Sequence, residues 1–336
     1  MSLEPITPAE SLNWYLEQKE NDATQTTVNS HEYRLNHFIE WCNQKDIENL
    51  NTLSGRDLQR FKLWRQNDGD LNNVSLHTQL GTLRVFLKWA ENIDAVTEGL
   101  HDKILMPNLG TNENQRDKKI DPETAFEIIN HLRKYKYGSD YHVLFELMWH
   151  TAARLGGIHS LDVEDYHPTD QYIAFKHRPE SGTKLKNGVD GERPVALNDE
   201  VCEIMDDYIS ETRHQVDAQE RRPLITTKNG RMCKSIIRRR IYKITQPCWY
   251  NEGCPDDKVD YECDYHVNAD KAGGCPFNLN PHAIRRGSLT YHLLRDWSKE
   301  DTGERADVSP AILEKHYDRR TDKEKLDQRR QNVRRL

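Results

Sequence analysis

Apolar residues recur with a helical period through the first hundred residues of the chain. The clearest run predicts an amphipathic helix, because its members are spaced at about 3.6 residues: Leu76, Leu80, Leu83, Leu87 and Ala90. Three further helices are predicted upstream, over residues 7–18, 27–43 and 54–66. Thr7, Ser54 and Ser75 stand at the N-cap positions of three of these four helices. Together they predict a small all-helical domain over residues 1–107.

A polar stretch at residues 108–119 lacks any apolar period and is predicted to be an interdomain linker. Residues 120–336 then form the second predicted domain. A helix starts at Asp121-Pro122 with Phe126, Ile129 and Leu132 facing inward, and another starts near Asp140 and carries Arg154 near its end.

Two short strands are predicted in the second domain, over residues 171–177 and 193–197, around a turn that contains Gly and Asn. Helices follow after Asn198, over residues 238–244 and 282–297, and from Ser309-Pro310 to about Tyr317. The pattern therefore predicts a mainly α fold with a small antiparallel β-sheet.

Composition narrows the class of protein only modestly. The chain has 336 residues and a net charge of −7, with 12 basic and 18 acidic side chains in residues 1–118. No apolar run approaches the 18 or so residues of a transmembrane helix, and the first ten residues carry acids and two prolines instead of a secretion signal. We therefore expect a cytoplasmic protein without a membrane partner.

One motif near the C-terminus carries the chemistry. Pro281-His282-Ala283-Ile284-Arg285-Arg286-Gly287 pairs a histidine with an arginine three residues later, and Glu314-Lys315-His316-Tyr317 follows. A lone arginine, Arg154, lies far upstream. Arginines bind a phosphodiester through two hydrogen bonds and neutralise its charge, and a tyrosine hydroxyl can attack the phosphorus atom.

In the order and spacing of Arg154, the motif at residues 281–287 and the segment that ends at Tyr317, the chain resembles the tyrosine recombinases, or phage-type integrases. The resemblance is closest to their archaeal branch. The resemblance implies an N-terminal core-binding, SAM-like domain and a C-terminal tyrosine-recombinase catalytic domain. It makes Tyr317 the nucleophile, Arg154 and Arg285 the phosphate clamp, and His282 the acid–base histidine. It also implies a lysine that protonates the leaving 5′ oxygen. We favour Lys186 over Lys184 for this role, since Asn187-Gly188 is typical of the turn itself.

Two positions depart from the family pattern. The family often has an acidic residue three positions after the first arginine, where this chain has Gly157. It also has a histidine or tryptophan nine residues before the nucleophile, where this chain has Val308 beside Asp307. Only a protonated Asp307 could donate a hydrogen bond there, and His316 and Trp297 are the nearby alternatives.

Basic residues are concentrated in two segments of the second domain, although the chain as a whole is acidic. Arg238, Arg239 and Arg240 form one run, and residues 319–336 hold eight Lys or Arg against three acids. Phosphate binding requires a basic face and not a basic total. We predict DNA contacts for the arginine run and for Lys184. For residues 319–336 a solvated surface helix is an equal alternative.

Four cysteines, Cys248, Cys254, Cys263 and Cys275, lie in a predicted insertion at residues 248–275. In a reducing compartment, clustered cysteines favour a metal over disulfides. A structural zinc ion bound by four thiolates is therefore predicted, with His266 as a possible replacement for one of them. A segment without ligand and a pair of disulfides are the alternatives.

The predicted function is site-specific cutting and rejoining of double-stranded DNA through a 3′-phosphotyrosyl link. Because the link conserves the bond energy, neither ATP nor a catalytic metal is required. The resemblance implies two copies of the chain on each DNA site and four in the synapse. The alternatives are a type IB topoisomerase-like enzyme and a catalytically silent DNA-binding protein of the same fold.

Overall fold

The computed structural model describes residues 3–69, 71–110, 118–216, 220–250, 253–258, 262–318 and 320–333. The chain divides into two compact units, Met1–Arg116 and Asp117–Leu336. The predicted linker at 108–119 lies largely outside the described residues, at 111–117. The predicted domain boundaries therefore stay predictions.

The first unit is built from four helices: α1 (Pro8–Asp22), α2 (Gln25–Gln44), α3 (Gly55–Asp68) and α4 (Asn73–Asn92). The predicted cap of α1 is confirmed, because the Thr7 hydroxyl accepts a hydrogen bond from the Glu10 amide at 3.2 Å. Ser54 and Asp57 form a capping box at the start of α3. Ser75 is not the cap of α4, since Asn72 takes that position and accepts from the Ser75 amide at 2.9 Å.

The apolar stripe of α4 lies in the core of this unit, as its period predicts. Its five members are each exposed by 1% or less: Leu76, Leu80, Leu83, Leu87 and Ala90. They pack with an aromatic group from α2, α3 and α4 that comprises Phe38, Trp41, Phe61 and Phe86. Burial of large aromatic side chains is the main source of stability in a unit of this size.

The second unit contains the remaining helices of the described residues. These are α5 (Pro122–Tyr135), α6 (Asp140–Thr151), α7 (Leu155–Ser160), α8 (Asp199–Asp207), α9 (Lys234–Ile244), α10 (Asp264–Val267), α11 (Pro281–Leu294), α12 (Lys299–Ala306), α13 (Pro310–His316) and α14 (Asp322–Val333). Helix α6 is buried on nearly all sides, which is typical of the central helix of a domain. In the part of the chain that is described, no helix is both long enough and apolar enough to cross a bilayer.

The predicted sheet is confirmed and has one strand more than expected. Strands β1 (Tyr166–His167), β2 (Tyr172–Phe175) and β3 (Arg193–Ala196) are antiparallel in the order β1-β2-β3. A second pair, β4 (Thr226–Thr227) and β5 (Gly230–Arg231), forms a small hairpin that the sequence did not predict. The fold is mainly helical with small antiparallel sheets.

Two details of the second unit differ from the prediction. Phe126 is 40% exposed instead of buried, because Ala125, Ile128 and Ile129 form the inward face of α5. Arg154 is not at the end of α6. The chain turns at Ala152, and Arg154 becomes the N-cap of α7.

Candidate active site

Arg154 lies at a sharp turn between two helices. Ala152 ends α6 in the left-handed conformation, with φ of 51°, which is uncommon for a residue with a side chain. The Thr151 hydroxyl accepts from the Ala153 amide at 3.2 Å and stabilises this turn. The turn positions the Arg154 guanidinium, which is mostly buried. Its Nη1 donates to Oδ2 of Asp307 at 2.5 Å.

Arg285 comes from α11 and is brought to the same turn. Its side chain is almost completely buried, and Nη1 donates to the Ala152 carbonyl at 2.5 Å. Its Nε and Nη2 atoms have no acceptor at good hydrogen-bond geometry among the described residues. Burial, followed by the charge of Arg154, lowers the pKa of Arg285 to about 10, although the nearby Tyr317 side chain raises this pKa through its charge and a hydrogen bond. A buried guanidinium whose nitrogens lack well-placed acceptors is costly, so this one is suited to receive an anion.

Tyr317 follows the last residue of α13 and faces Arg285. The Arg285 guanidinium carbon lies 5.2 Å from the centre of the tyrosine ring. The Tyr317 amide donates to the Leu313 carbonyl at 2.9 Å, and its carbonyl accepts from the Thr290 hydroxyl at 3.0 Å. The half-buried ring packs against a small apolar cluster to which Leu289, Leu313 and Val308 belong. Backbone hydrogen bonds therefore fix the position of Tyr317, and apolar packing fixes the position of its ring.

His282 lies in the first turn of α11 and is exposed as a residue. Partial burial of the ring, followed by the charges of Arg285, Arg286, Arg154 and Lys186, lowers its pKa to about 4. At neutral pH the imidazole is therefore uncharged, so one ring nitrogen is available as a hydrogen-bond acceptor, while the lowered pKa also makes it a weaker base. The same electrostatic effects show that Lys186 and Arg154 lie close to this helix end.

Lys184 and Lys186 lie in the long connection between β2 and β3, where both are exposed. Lys186 and Asn187 lie in a turn, as predicted, which the Gly188 amide closes by donating to the Leu185 carbonyl at 3.3 Å, but this turn does not join β2 directly to β3. The connection also contains short 3-10 turns at Pro179–Ser181 and Gly188–Gly191, and neither lysine is in a strand. The alternation of strand faces therefore does not relate the two lysines. Of the pair, Lys186 acts on His282 through its charge.

Asp307 and Val308 occupy the region where the family has a histidine or tryptophan. Val308 is buried in the apolar cluster beside Tyr317. Asp307 accepts from Arg154 and, at 2.7 Å, from the Asn187 side-chain amide. Because both of its oxygens already accept hydrogen bonds within the protein, Asp307 is not placed to donate one to a phosphate. Neither residue supplies the missing hydrogen-bond donor.

The other departure from the family pattern, Gly157, has a structural reason. A side chain at Gly157 would bring its Cβ within 3.2 Å of the Phe175 ring, so the packing of α7 on β2 disfavours an acid there. Trp297 packs against the Arg305 guanidinium and edge-on against His292. His316 is half-buried at the end of α13.

Two arginines near the site were not predicted as site residues. Arg193 stacks on the Phe175 ring at 4.4 Å and donates from Nε to the Arg305 carbonyl at 2.7 Å. Burial, offset in part by Asp307, lowers the pKa of Arg193 to about 10. Arg305 donates to the carbonyls of His150 and Ala196. Their sequence context, Glu192-Arg193-Pro194 and Glu304-Arg305-Ala306, contains no signal that separates them from surface arginines.

The basic run on α9 is largely engaged within the protein. Arg240 stacks on Tyr141 at 4.3 Å and pairs with Asp140 at 3.2 Å, and Arg239 pairs with Asp270. Arg238 is exposed, whereas Ile237 and Ile241 of the same helix are buried. Arg238 is therefore the member of the run that is best placed for an external phosphate. The basic C-terminal run falls partly outside the described residues, at Arg319 and 334–336.

The described residues of the cysteine segment show no group of three or more His, Cys, Asp or Glu side chains placed to hold a metal ion. Cys248 Sγ lies 3.2 Å from His266 Nδ1, and all four thiols are half-buried and unpaired as disulfides. The described residues include these four cysteines but not 251–252 or 259–261. The zinc site therefore stays a prediction, and it requires a different path of this segment.

Comparison with known proteins agrees with the fold. The family described as phage integrase, N-terminal SAM-like domain, matches residues 13–92. Among curated proteins, none matches the chain. The N-terminal domain of a phage integrase/site-specific recombinase from Haloarcula marismortui is 31% identical, over 31% of this chain and 99% of its own, with a TM-score of 0.30.

Two DNA complexes resemble the whole chain. A lambda integrase dimer bound to a COC′ core site is 12% identical, covers 95% of this chain and 80% of its own, and has a TM-score of 0.66. The Tn1549 transposon integrase in complex with a circular intermediate DNA is also 12% identical, covers 97% and 99%, and has a TM-score of 0.68. At such identities the likeness shows the fold. Residues 13–92 therefore match the SAM-like domain of phage integrases, and the chain as a whole has the fold of the lambda and Tn1549 integrases.

Proposed function

We propose that this protein is a site-specific DNA recombinase that cuts and rejoins strands through a 3′-phosphotyrosyl intermediate. The observation that carries the proposal is the buried Arg285 guanidinium. It has two nitrogens without a well-placed acceptor in the described part of the chain, lies beside Arg154, and faces the Tyr317 ring at 5.2 Å. A phosphodiester would supply the missing hydrogen-bond acceptors and place its phosphorus near the tyrosine hydroxyl.

The proposed reaction is a transesterification. Arg154 and Arg285 bind the two non-bridging oxygens and neutralise the charge that develops on them. The Tyr317 oxygen attacks phosphorus and loses its proton, for which the neutral His282 is the acceptor. The bond to the 5′ oxygen breaks, and Lys186 protonates that oxygen as it leaves. The free 5′ hydroxyl of a partner strand reverses these steps and rejoins the DNA.

Double-stranded DNA and further copies of the chain are the proposed partners. Lambda integrase has been solved as a dimer on a core site and as a tetramer bound to a Holliday junction. By that similarity we propose two copies of this chain on each site and four in the synapse, acting in the cytoplasm. Arg238 and Lys184 are exposed side chains that are available to DNA phosphates.

The second candidate is a DNA-binding protein of this fold without catalytic activity. One observation favours it, namely the apolar Val308 at a position where the family has a hydrogen-bond donor. Covalent attachment to DNA distinguishes the two candidates, because a phosphotyrosyl link survives detergent whereas simple binding does not.

The test is to express the chain in cells, lyse them in strong detergent, and sequence DNA that stays attached to the protein. We expect attached DNA with wild type and none with Tyr317→Phe, which removes only the attacking oxygen. Tyr291→Phe is the matched control, since Tyr291 packs on Trp149 outside the clamp. Attached DNA in the Tyr317 variant would assign another nucleophile, with Tyr291 and Tyr265 next in line. No attachment by wild type would favour the silent DNA-binding protein.

A further inference from the structure

The Asp307 carboxylate connects three chain segments that carry the proposed catalytic residues. Oδ2 accepts from Arg154 Nη1 at 2.5 Å, and Oδ1 accepts from Asn187 Nδ2 at 2.7 Å. Asn187 directly follows Lys186, and Asp307 itself lies ten residues before Tyr317. The side chains of Arg154 and Asp307 are only 18% and 14% exposed. This ion pair is therefore partly screened from water and bridges the site.

Positive charge surrounds this carboxylate. Arg154 and Arg285 each lower the pKa of Arg193, and Arg154 lowers that of Arg285, whereas Asp307 raises both. The three guanidinium groups thus repel one another when no DNA is bound. Asp307 offsets this repulsion from a position that touches Arg154 directly.

The backbone fixes where the carboxylate lies. Asp307 adopts the left-handed conformation, with φ of 56°, directly after the end of α12. The Val308 amide donates to the Gly303 carbonyl at 2.9 Å, which closes this turn. On the opposite side, a Cβ atom at Gly191 would lie 3.3 Å from Asp307 Oδ2, so the connection that carries Lys186 packs closely against it.

We infer that Asp307 is a positioning residue that holds Arg154 and the Lys186 connection in the arrangement that receives the scissile phosphate. This inference rests on the proposed function. Asp307 does not touch the reacting atoms and acts through Arg154 and Asn187. Small displacements of such groups cost about 100-fold in rate when the reaction depends on alignment.

The first test is single-turnover cleavage of the DNA recovered above, with wild type, Asp307→Gly and Asp307→Asn. Glycine adopts the left-handed conformation without strain, so Asp307→Gly removes the carboxylate alone. We expect cleavage to fall by about 10- to 100-fold while DNA affinity is kept. Asp296→Gly is the matched control, because Asp296 is also left-handed, with φ of 64°, and should keep the wild-type rate.

Added formate provides a readout that a merely structural role would not change. At equal ionic strength, formate should raise the rate of Asp307→Gly above its rate in chloride, by occupying the vacated carboxylate position. It should leave wild type and Arg154→Ala unchanged. A wild-type rate in Asp307→Gly would overturn the inference. A rate above wild type would also overturn it, since Asp307 would then block the phosphate site.

A second test does not depend on cleavage and therefore separates this inference from the proposed function. Thermal unfolding is measured in sulfate and in chloride at equal ionic strength. Sulfate should raise the Tm of Asp307→Gly more than that of wild type or Asp296→Gly, because the arginines of the variant lack their counter-ion. Equal sulfate responses in all three proteins would contradict the inference, even if wild type never attaches to DNA.

Discussion

Helix α11 directly follows residues 247–280, which contain the cysteine segment. The two regions differ in whether the spacing of residues along the chain predicts which side chains lie together. In α11, Asn280 caps the first turn, and Arg285 and Ser288 face the interior. In the described part of the cysteine segment, α10 is accompanied by short 3-10 turns, among them Pro247–Trp249 and Ala269–Gly274. His282 and Arg285 share a face because residues three apart on a helix are neighbours. No such rule relates the spacing of the four cysteines.

The largest effect should come from the clamp formed by Arg154 and Arg285. We expect Arg154→Ala and Arg285→Ala each to lower covalent DNA attachment by at least about 100-fold, as loss of a pre-organised charge donor does. Arg286→Ala should cost far less, because its side chain leaves the helix about 100° away from Arg285. Attachment is measured in single-turnover assays, with circular dichroism to show that each variant folds. Equal losses for Arg285 and Arg286 would show that the helix register is wrong.

The next prediction compares how tightly α11 and the cysteine segment are packed. A Cβ atom at Gly287 in α11 would lie 2.3 Å from the Ile120 carbonyl oxygen, which is backbone and cannot rotate away. We expect Gly287→Ala to lower the free energy of unfolding by about 1–3 kcal/mol. At Gly274 the new atom would meet only the edge of the Tyr265 ring. Gly274→Ala should therefore cost less, and urea unfolding of both variants measures the difference. A larger loss at Gly274 would show that the cysteine segment is the more rigid region.

A smaller effect concerns pH. Because the folded pKa of His282 is about 4, below its ordinary value of about 6.5, the unfolded chain binds this proton first. Stability should therefore fall as the pH is lowered from 6.5 toward 4. His282→Gln should lose less stability than wild type between pH 7 and pH 5, as measured by urea unfolding. Since His282 is exposed, the difference should be well below the 1.4 kcal/mol or so per pH unit of one fully coupled proton. Parallel curves for the two proteins would contradict the lowered pKa.

The smallest effect on catalysis should come from metal removal. The sequence predicts about one structural zinc per chain, and the described arrangement does not support it. Metal analysis of protein purified without added zinc is the test, with Cys248→Ser expected to lose the ion and Cys233→Ser to keep it. Chelation should loosen residues 248–275 without stopping covalent attachment in protein that stays folded. Four freely reacting thiols and no metal would end the zinc prediction.

The predictions that succeeded are mostly local. The Ser54 cap, the apolar stripe of α4 and the short helix before Tyr317 depend on neighbouring residues, and the structure contains all three. The Ser75 cap was placed three residues too late, because Asn72 caps the helix by accepting from the Ser75 amide. The inward orientation of Phe126 failed because three other residues already form that face of α5.

What no local pattern could show is which distant groups meet. Arg154 and Asp307 are 153 residues apart and form an ion pair, and Arg285 reaches the Ala152 carbonyl across 133 residues. The sequence by itself indicated most of the longer helices, the sheet class and the candidate residues, because periodicity, caps and spacing act over a few residues, but it did not predict α7, α10 or α12. Only the tertiary structure decided that Asp307 is the counter-ion of the clamp and that Arg239 and Arg240 are engaged internally. Such pairings depend on how whole helices pack against one another. The spacing of residues along the chain does not predict that packing when the segments between the helices are irregular.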